Sequence, residues 1–169
     1  MLDDADGENR SEIVAGPGSD VEPVDGFLVA TLAERDTVFD VRLRDGRTLH
    51  VVNIAWGYDE SESYAHVTTN VSPGVVGASI DTFSTCEVEF VRVPDGGVVY
   101  DGFDDADAVT EWFRLVGYSV SVEADGRVAW ASLRSLRNPE FVVRQYGSGP
   151  DARAAVCSAV SRWRTEQIG

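Results

Sequence analysis

The sequence predicts an α+β fold in which an antiparallel, β-barrel-like sheet is followed by an α-β-β-β-α module. Two observations support this fold class. From residue 26 to 102, apolar and polar residues alternate in short runs separated by turn signals, which is typical of antiparallel strands. From residue 104 the apolar period lengthens to that of a helix. We therefore divide the chain into residues 1–25, 26–102 and 103–169.

Residues 1–25 are predicted to form a disordered acidic tail. The stretch consists largely of Asp, Glu, Gly, Pro and Ser, with few apolar side chains between them. Such a segment cannot bury enough apolar surface to offset the entropy lost on ordering.

The β-rich region is predicted to contain five or six short strands. The candidate segments are 27–32, 37–44, 48–55, 62–71, 85–93 and 98–100. Asp45-Gly46 supplies the positive φ of a tight hairpin between the second and third segments. Alternation in the fifth segment places Cys86, Val88, Phe90 and Arg92 on one side. Many short antiparallel strands are typical of a small barrel or a strongly curved sheet.

The C-terminal module is predicted to begin with a helix over 104–116, capped by Asp104 or Asp105 and ended by Gly117. Three strands follow, at 118–123, 127–133 and 140–146. Gly147-Ser148-Gly149 then predicts a turn, and Pro150 suits the first position of a last helix that runs to about residue 167. The residues predicted to be buried on that helix are Ala152, Val156, Ala159, Val160 and Trp163.

All fourteen basic residues of the chain are arginines, and they face 29 acidic residues for a net charge of -15. This composition resembles that of haloarchaeal cytoplasmic proteins, whose carboxylates retain water in concentrated salt. A GC-rich actinobacterial origin is the alternative. The first residues show no secretory signal, and no apolar run is long enough to span a bilayer. Two cysteines are too few for a disulfide scaffold, so we expect a cytoplasmic protein without membrane contact.

Charge is unevenly distributed along the chain. Residues 127–169 contain seven arginines and three acidic residues, whereas the remainder carries a net charge of -19. A locally basic end favours an anionic partner, either a nucleic acid or an acidic protein. The alternative is that these arginines pair with the chain's own acidic half. The predicted partner-binding arginines are Arg134, Arg137, Arg144, Arg153 and Arg164, the last two on nearly the same side of the final helix.

Catalytic signatures are absent from the sequence. It contains no Gly-x-Ser-x-Gly motif and no phosphate-binding loop, because the glycines at 147–149 lack a following lysine. His50, His66 and Cys86 could meet across strands as a zinc site, but their spacing matches no ligand motif. We read the carboxylate clusters as solvated surface. We therefore predict no catalytic residue, no metal and no cofactor, with a small metal- or carboxylate-dependent enzyme as the alternative.

Two aromatic residues, Trp56 and Tyr58, flank Gly57 in a predicted loop. A loop tryptophan usually has a packing or a binding reason. We interpret the pair either as partner-binding residues or as a plug that closes the end of the barrel.

Two stretches resemble known families. Residues 41–47, Val-Arg-Leu-Arg-Asp-Gly-Arg, followed by Gly57-Tyr58-Asp59-Glu60, look like the strand–turn–strand of an Sm-like barrel. Residues 104–167 are similar in element order to double-stranded-RNA-binding domains and to HicB-type antitoxins. The first of these two families implies RNA binding through basic residues at the start of the last helix, where this chain offers only Arg153. The second implies a protein partner.

These observations together predict a non-enzymatic binding or regulatory protein that contacts an anionic partner through its C-terminal arginines. A protein–protein adaptor of the antitoxin type is a further alternative, and its contact face would be the sheet of residues 118–146.

Overall fold

Three helices and ten strands make up the described part of the computed structural model, which covers residues 24–71 and 73–168. The mixed α+β class predicted from the sequence is therefore confirmed. The elements are α1 (Gly26–Leu32), β1 (Phe39–Leu43), β2 (Thr48–Val51), β3 (Ile54–Gly57), β4 (His66–Thr69), β5 (Thr82–Ser84), β6 (Val88–Arg92), β7 (Val98–Asp101), α2 (Ala106–Leu115), β8 (Tyr118–Ala124), β9 (Ala129–Ser135), β10 (Val142–Gly149) and α3 (Ala152–Ile168). None of the described helices combines the length and the apolar composition needed to cross a bilayer.

The strands form three antiparallel sheets, with orders β2-β1-β6-β7, β3-β4-β5 and β10-β9-β8. Within the described residues the β-rich region is thus divided between two sheets and does not close into a barrel. The division occurs at Val52 and Asn53, so the strand predicted over 48–55 is two strands in different sheets. The Asn70 side chain bridges this break. Its Oδ1 accepts a hydrogen bond from Val52 N at 2.8 Å, and its Nδ2 donates to His50 O at 3.0 Å.

The strand predicted over 27–32 is wrong, because this segment is helix α1. Its three buried residues, Leu28, Val29 and Leu32, have the spacing of one helical face, whereas Phe27 is 69% exposed. Thr31 Oγ1 donates to Phe27 O at 2.8 Å, one turn back along the helix. A short apolar run reads alike as strand or helix, and packing decides between them.

The strand predicted over 85–93 begins instead with a 3₁₀ helix, Thr85–Glu87. Glu87 Oε2 accepts from Ser84 N at 2.6 Å and holds this turn. The pairing of the following strand β6 with β1 shifts register between Arg42 and Leu43. Glu89 and Val91 are buried while Phe90 is only half-buried, so the predicted alternation of this segment is wrong.

The helix–three strands–helix order of the C-terminal module is confirmed. Asp105 caps α2, since its Oδ1 accepts from Asp107 N and Ala108 N at 3.0 Å each. Gly117 ends the helix with a φ of 100°. Helices α2 and α3 both pack against the sheet that β8, β9 and β10 form.

The predicted turn at Gly147-Ser148-Gly149 is wrong, because these residues form the end of β10. Their glycines allow α3 to approach the sheet closely. A Cβ atom at Gly147 would lie 2.3 Å from Ala155 O and 2.4 Å from Ala159 N. Ala152 is exposed rather than buried, and the fully buried residues of α3 are Ala155, Val156, Ala159 and Val160.

Buried residues form two hydrophobic clusters. The first contains residues of α1 and β1–β6, and the second contains α2, α3 and the C-terminal sheet together with Tyr64 and Cys86. Arg44 is fully buried between Leu43 of the first cluster and Cys86 of the second. Its Nε donates to Cys86 O and its Nη2 donates to Gly102 O, both at 2.9 Å. Its guanidinium carbon lies 5.6 Å from the centre of the Phe103 ring.

Residues 1–23 of the predicted tail lie outside the described residues. The tail prediction is wrong at its end, because Asp25 is buried and part of the folded region. Asp25 Oδ2 accepts a hydrogen bond from Ala65 N at 2.8 Å, and Asp25 Oδ1 accepts one from Tyr58 Oη at 2.6 Å.

Candidate binding face on the C-terminal sheet

The C-terminal sheet has one face covered by helices and one face free of them in the described part of the chain. On the central strand β9, buried Ala129, Ala131 and Leu133 alternate with less buried Trp130, Ser132 and Arg134. Directly paired residues of neighbouring strands share a face. The pairing therefore places eight residues on the uncovered side, which we call the open face: Ser119, Ser121, Glu123, Trp130, Ser132, Arg134, Val142 and Ser148.

Trp130 lies in the middle of the open face. It pairs with Glu123 on β8 and with Ser148 on β10. Among the described residues its ring belongs to neither hydrophobic cluster, although it is half-buried by its neighbours. A tryptophan on a central strand that does not serve the core is a candidate contact for a ligand.

Arg134 lies at the other end of the same strand, between Ser119 and Val142. It is exposed, and its Nη1 donates to Pro139 O at 2.6 Å. This bond holds the guanidinium near the β9–β10 turn. Because a guanidinium has five N–H donors, most of them remain available for a ligand.

Arg137 and Arg144 lie beside the open face and are also exposed. Arg137 belongs to the turn between β9 and β10, and Arg144 lies in a bulge of β10 between Val143 and Gly147. The next residue, Gln145, has a φ of 53° and donates its backbone N–H to Ser132 Oγ at 3.1 Å. No side-chain hydrogen bond or ion pair joins either arginine to another described residue. We call Arg134, Arg137 and Arg144 the sheet arginines.

Arg153 and Arg164, the other two predicted binding arginines, form intramolecular ion pairs. Arg153 pairs with Asp104 and donates from Nε to Phe103 O at 2.6 Å. Arg164 pairs with the buried side chain of Glu89, which Arg42 also approaches at 3.7 Å. Both arginines thus pair with acidic residues of the chain itself, which was the alternative to binding an anionic partner. These pairs connect α3 to the acidic part of the chain.

Trp56 and Tyr58 pack against the first hydrophobic cluster. The loop prediction is wrong for Trp56, which pairs with Val67 in the sheet. Burial, and then the hydrogen bond to Asp25, raise the pKa of Tyr58. Both rings therefore have structural contacts of their own, and neither lies on the open face.

The two thiols are held in their protonated form. Burial raises the pKa of Cys86 to about 12, and burial also raises the pKa of Cys157. A nucleophilic cysteine requires a lowered pKa. The suggested grouping of His50, His66 and Cys86 is not formed among the described residues, because His50 contacts Asp40 and His66 contacts Glu62.

Comparison with known proteins adds no relative to this description. The chain matches no protein-family model, and neither a curated protein nor a solved structure is significantly similar to it.

The sequence analysis left Trp130 and the serines of the open face out of the predicted site. The signal was present in residues 129–134, Ala-Trp-Ala-Ser-Leu-Arg, where small or apolar residues alternate with Trp, Ser and Arg. Their facing depends on which side the helices cover, and this is a property of the folded module.

Proposed function

We propose that this chain is a non-enzymatic binding protein whose open face and sheet arginines bind single-stranded nucleic acid. The observation that carries the proposal is the position of Trp130, on the central strand and outside both described hydrophobic clusters, four residues from exposed Arg134. The acid excess and the absence of lysine support a salt-rich cytoplasm as the setting of this function.

An extended polymer fits the open face better than a small anion does. Four residues along a strand span about 13 Å, so the indole and the Arg134 guanidinium would contact different parts of a partner. Every base has a π-face that stacks on an aromatic ring, and each such stack contributes about 1–3 kcal/mol. Arginine pairs with phosphate through two parallel hydrogen bonds, and serine hydroxyls are common backbone contacts.

The distribution of charge on the open face favours a particular orientation. Glu123 lies beside Trp130, so that end of the face repels phosphate but can accept a hydrogen bond from a base amino group, as carboxylates do with cytosine N4. The sheet arginines lie towards the β9–β10 turn and suit the backbone. We therefore infer that bases lie over Trp130 and phosphates near Arg134.

The competing partner is an acidic protein segment, which the same arginines would attract. An acidic peptide has no equivalent of a base that stacks on an indole ring. Loss of binding in a Trp130 variant therefore distinguishes a nucleic acid from an acidic peptide. The enzyme alternative has one observation in its favour, a cluster around His66 that lies elsewhere in the fold.

Fluorescence anisotropy of the full chain with a labelled, cytosine-rich RNA of about 20 nucleotides tests the proposal, since one such strand exceeds common site sizes. We expect Trp130→Ala to weaken binding by about 5- to 150-fold, equivalent to about 1–3 kcal/mol. Arg134→Gln combined with Arg144→Gln should reduce the slope of log K against log salt by about 1.4, because each phosphate contact contributes about 0.7.

The matched control is Arg114→Gln. Arg114 is exposed, lies on α2 and pairs with Glu111, so it is remote from the open face. Its loss should leave RNA binding unchanged. Absence of RNA binding, or an equal effect of Arg114→Gln, would overturn the proposal. Binding of a polyglutamate peptide in place of the RNA would assign the face to an acidic protein.

A further inference from the structure

A second cluster of functional side chains lies far along the chain from the open face, at the start of β4. His66 Nε2 lies 2.7 Å from Glu62 Oε2 and 3.2 Å from Asp59 Oδ2. One ligand atom of each residue lies within 4.8 Å of those of the other two. All three side chains are exposed. An imidazole nitrogen and two carboxylate oxygens therefore converge on one small volume open to solvent.

The backbone around the cluster brings these side chains together. Asp59 and Glu62 belong to the turn between β3 and β4, and Glu62 N donates to Asp59 O at 3.1 Å. His66 begins β4 and pairs with Gly57. A Cβ atom built at Gly57 would meet nothing within 4 Å, so the neighbouring strand leaves space beside the histidine.

We propose that Asp59, Glu62 and His66 bind a divalent transition-metal ion of the zinc type. Imidazole suits Zn²⁺, Ni²⁺ and Cu²⁺, whereas Mg²⁺ and Ca²⁺ prefer sites made only of oxygen. Three protein ligands of mixed nitrogen and oxygen type, with water in the fourth position, form the arrangement of open zinc sites. Two carboxylates also balance the charge of a divalent ion.

The other histidine of the chain provides an internal comparison. His50 Nδ1 lies 3.1 Å from Asp40 Oδ1, so it also has a carboxylate neighbour and is likewise exposed. The described structure places no second carboxylate in a ligand cluster with it. His50 therefore has one carboxylate neighbour where His66 has two. The proposal requires the second carboxylate, so His50 is not expected to bind the metal.

Metal binding changes the tautomer of His66. An ionised carboxylate can only accept, so the short contact between Glu62 and His66 places the imidazole N–H on Nε2. When a metal takes the lone pair of Nε2, the proton of a neutral imidazole moves to Nδ1, and Glu62 becomes free to bind the same ion.

The test is a calorimetric titration of the metal-free full chain with zinc chloride. We expect one Zn²⁺ per chain, and we expect His66→Ala and Glu62→Gln each to weaken binding at least 10-fold, since even outer-shell partners of a metal are worth about 10- to 100-fold. His50→Ala should leave the affinity unchanged. Excess Mg²⁺ should not displace the zinc.

The thiols and the fold are controlled separately. Cys157→Ser removes the less buried of the two cysteines and should leave zinc binding intact. Circular dichroism of each variant verifies the fold, and the exposure of the three ligands makes them tolerant of substitution. Absence of stoichiometric zinc binding, equal loss in His50→Ala, or loss in Cys157→Ser would overturn the proposal. None of these outcomes bears on RNA binding by the open face.

Discussion

The carboxylate of Asp25 joins three separate segments of the chain. It accepts hydrogen bonds from Tyr58 Oη at 2.6 Å, from Ala65 N at 2.8 Å and from Thr85 Oγ1. Only 4% of the residue is exposed, so these donors would find no water in its place. A buried carboxyl group of this kind is tolerated because both of its oxygens accept hydrogen bonds.

We expect Asp25→Ala to lower the free energy of unfolding by about 3 kcal/mol, because buried donors left without an acceptor cost about 1–3 kcal/mol each. Urea denaturation followed by circular dichroism measures this change. Glu34→Ala, an exposed acidic residue just beyond α1, is the control and should change stability by no more than about 0.5 kcal/mol. Equal stability of the two variants would show that Asp25 does not hold these segments.

At the residue scale, the sequence could not reveal this role of Asp25. Its neighbours in the chain are those of an acidic, proline-containing tail, whereas its partners lie up to 60 residues away. For the same reason the sequence could not separate the exposed sheet arginines from Arg153 and Arg164 on α3, which form internal ion pairs. All five predicted arginines look alike in the sequence, but only folding places Glu89 and Asp104 beside Arg164 and Arg153.

Helix α3 lies unusually near its sheet because β10 ends in glycine. Gly147 and Gly149 both face α3, and a Cβ atom at either position would come within 2.5 Å of an atom of the helix. Since real Cβ atoms essentially never approach backbone atoms so closely, any side chain there must move the helix outwards. The second hydrophobic cluster depends on this contact, because Ala155, Val156, Ala159 and Val160 belong to it.

We expect Gly147→Ala to destabilise the protein by about 1–3 kcal/mol, the usual cost of overpacking a core. Gly57→Ala is the matched control, because Gly57 also lies in a strand, yet a Cβ atom there meets nothing within 4 Å. Thermal denaturation of both variants makes the comparison. The proposed role of Gly147 fails if the two alanine variants melt at the same temperature.

At the element scale, local signals were sufficient for the element order of the C-terminal module, but not for the end of β10 or for the β-rich region. The cap at Asp105, the stop at Gly117 and the long apolar period of α2 and α3 each lie within a few residues of the element they define. The segments at 27–32 and 48–55 contain no such signal. Their states depend on the core that α1 covers and on Asn70, which bridges the break between β2 and β3.

The absence of lysine gives the whole molecule a simple titration behaviour in alkali. With no ammonium side chain, the side chains that lose protons between about pH 9 and 12 are tyrosines and cysteines. Burial raises the pKa of Tyr58, Tyr64 and Tyr146, and it raises the pKa of Tyr100 and Cys86 to about 12. The same groups ionise near pH 8.5 to 10 in the unfolded chain.

The free energy of unfolding should therefore be constant below about pH 8 as far as these groups are concerned, and should fall as the pH rises towards 12. In that range the unfolded state loses protons that the folded state retains, and this makes the slope negative. Tyr58→Phe should make the decline shallower. Urea denaturation at several alkaline pH values measures the slope, and a flat profile from pH 9 to 12 would contradict the pKa shifts.

At the scale of the whole molecule, the sequence predicted the class and the order of its two regions but not how the strands of the first region divide. Alternation indicates that strands exist and does not specify their partners, so two sheets and one barrel have the same pattern. The candidate site likewise depends on strand pairing that the sequence does not specify. Its arginines were visible from charge alone, whereas Trp130 joined them only when the register of β8, β9 and β10 was known.

Arg44 follows Leu43 of the first hydrophobic cluster, donates to the carbonyl groups of Cys86 and Gly102, and lies beside the Phe103 ring that packs against the second cluster. A fragment that began after residue 102 would lose this cation and expose apolar surface that now covers it. The other fragment would keep Arg44 and both of its carbonyl acceptors, but it would lose the Phe103 ring that lies 5.6 Å from the guanidinium carbon. Dissecting the protein into separately expressed halves would thus create two damaged pieces, and work on either proposed site should retain the intact polypeptide.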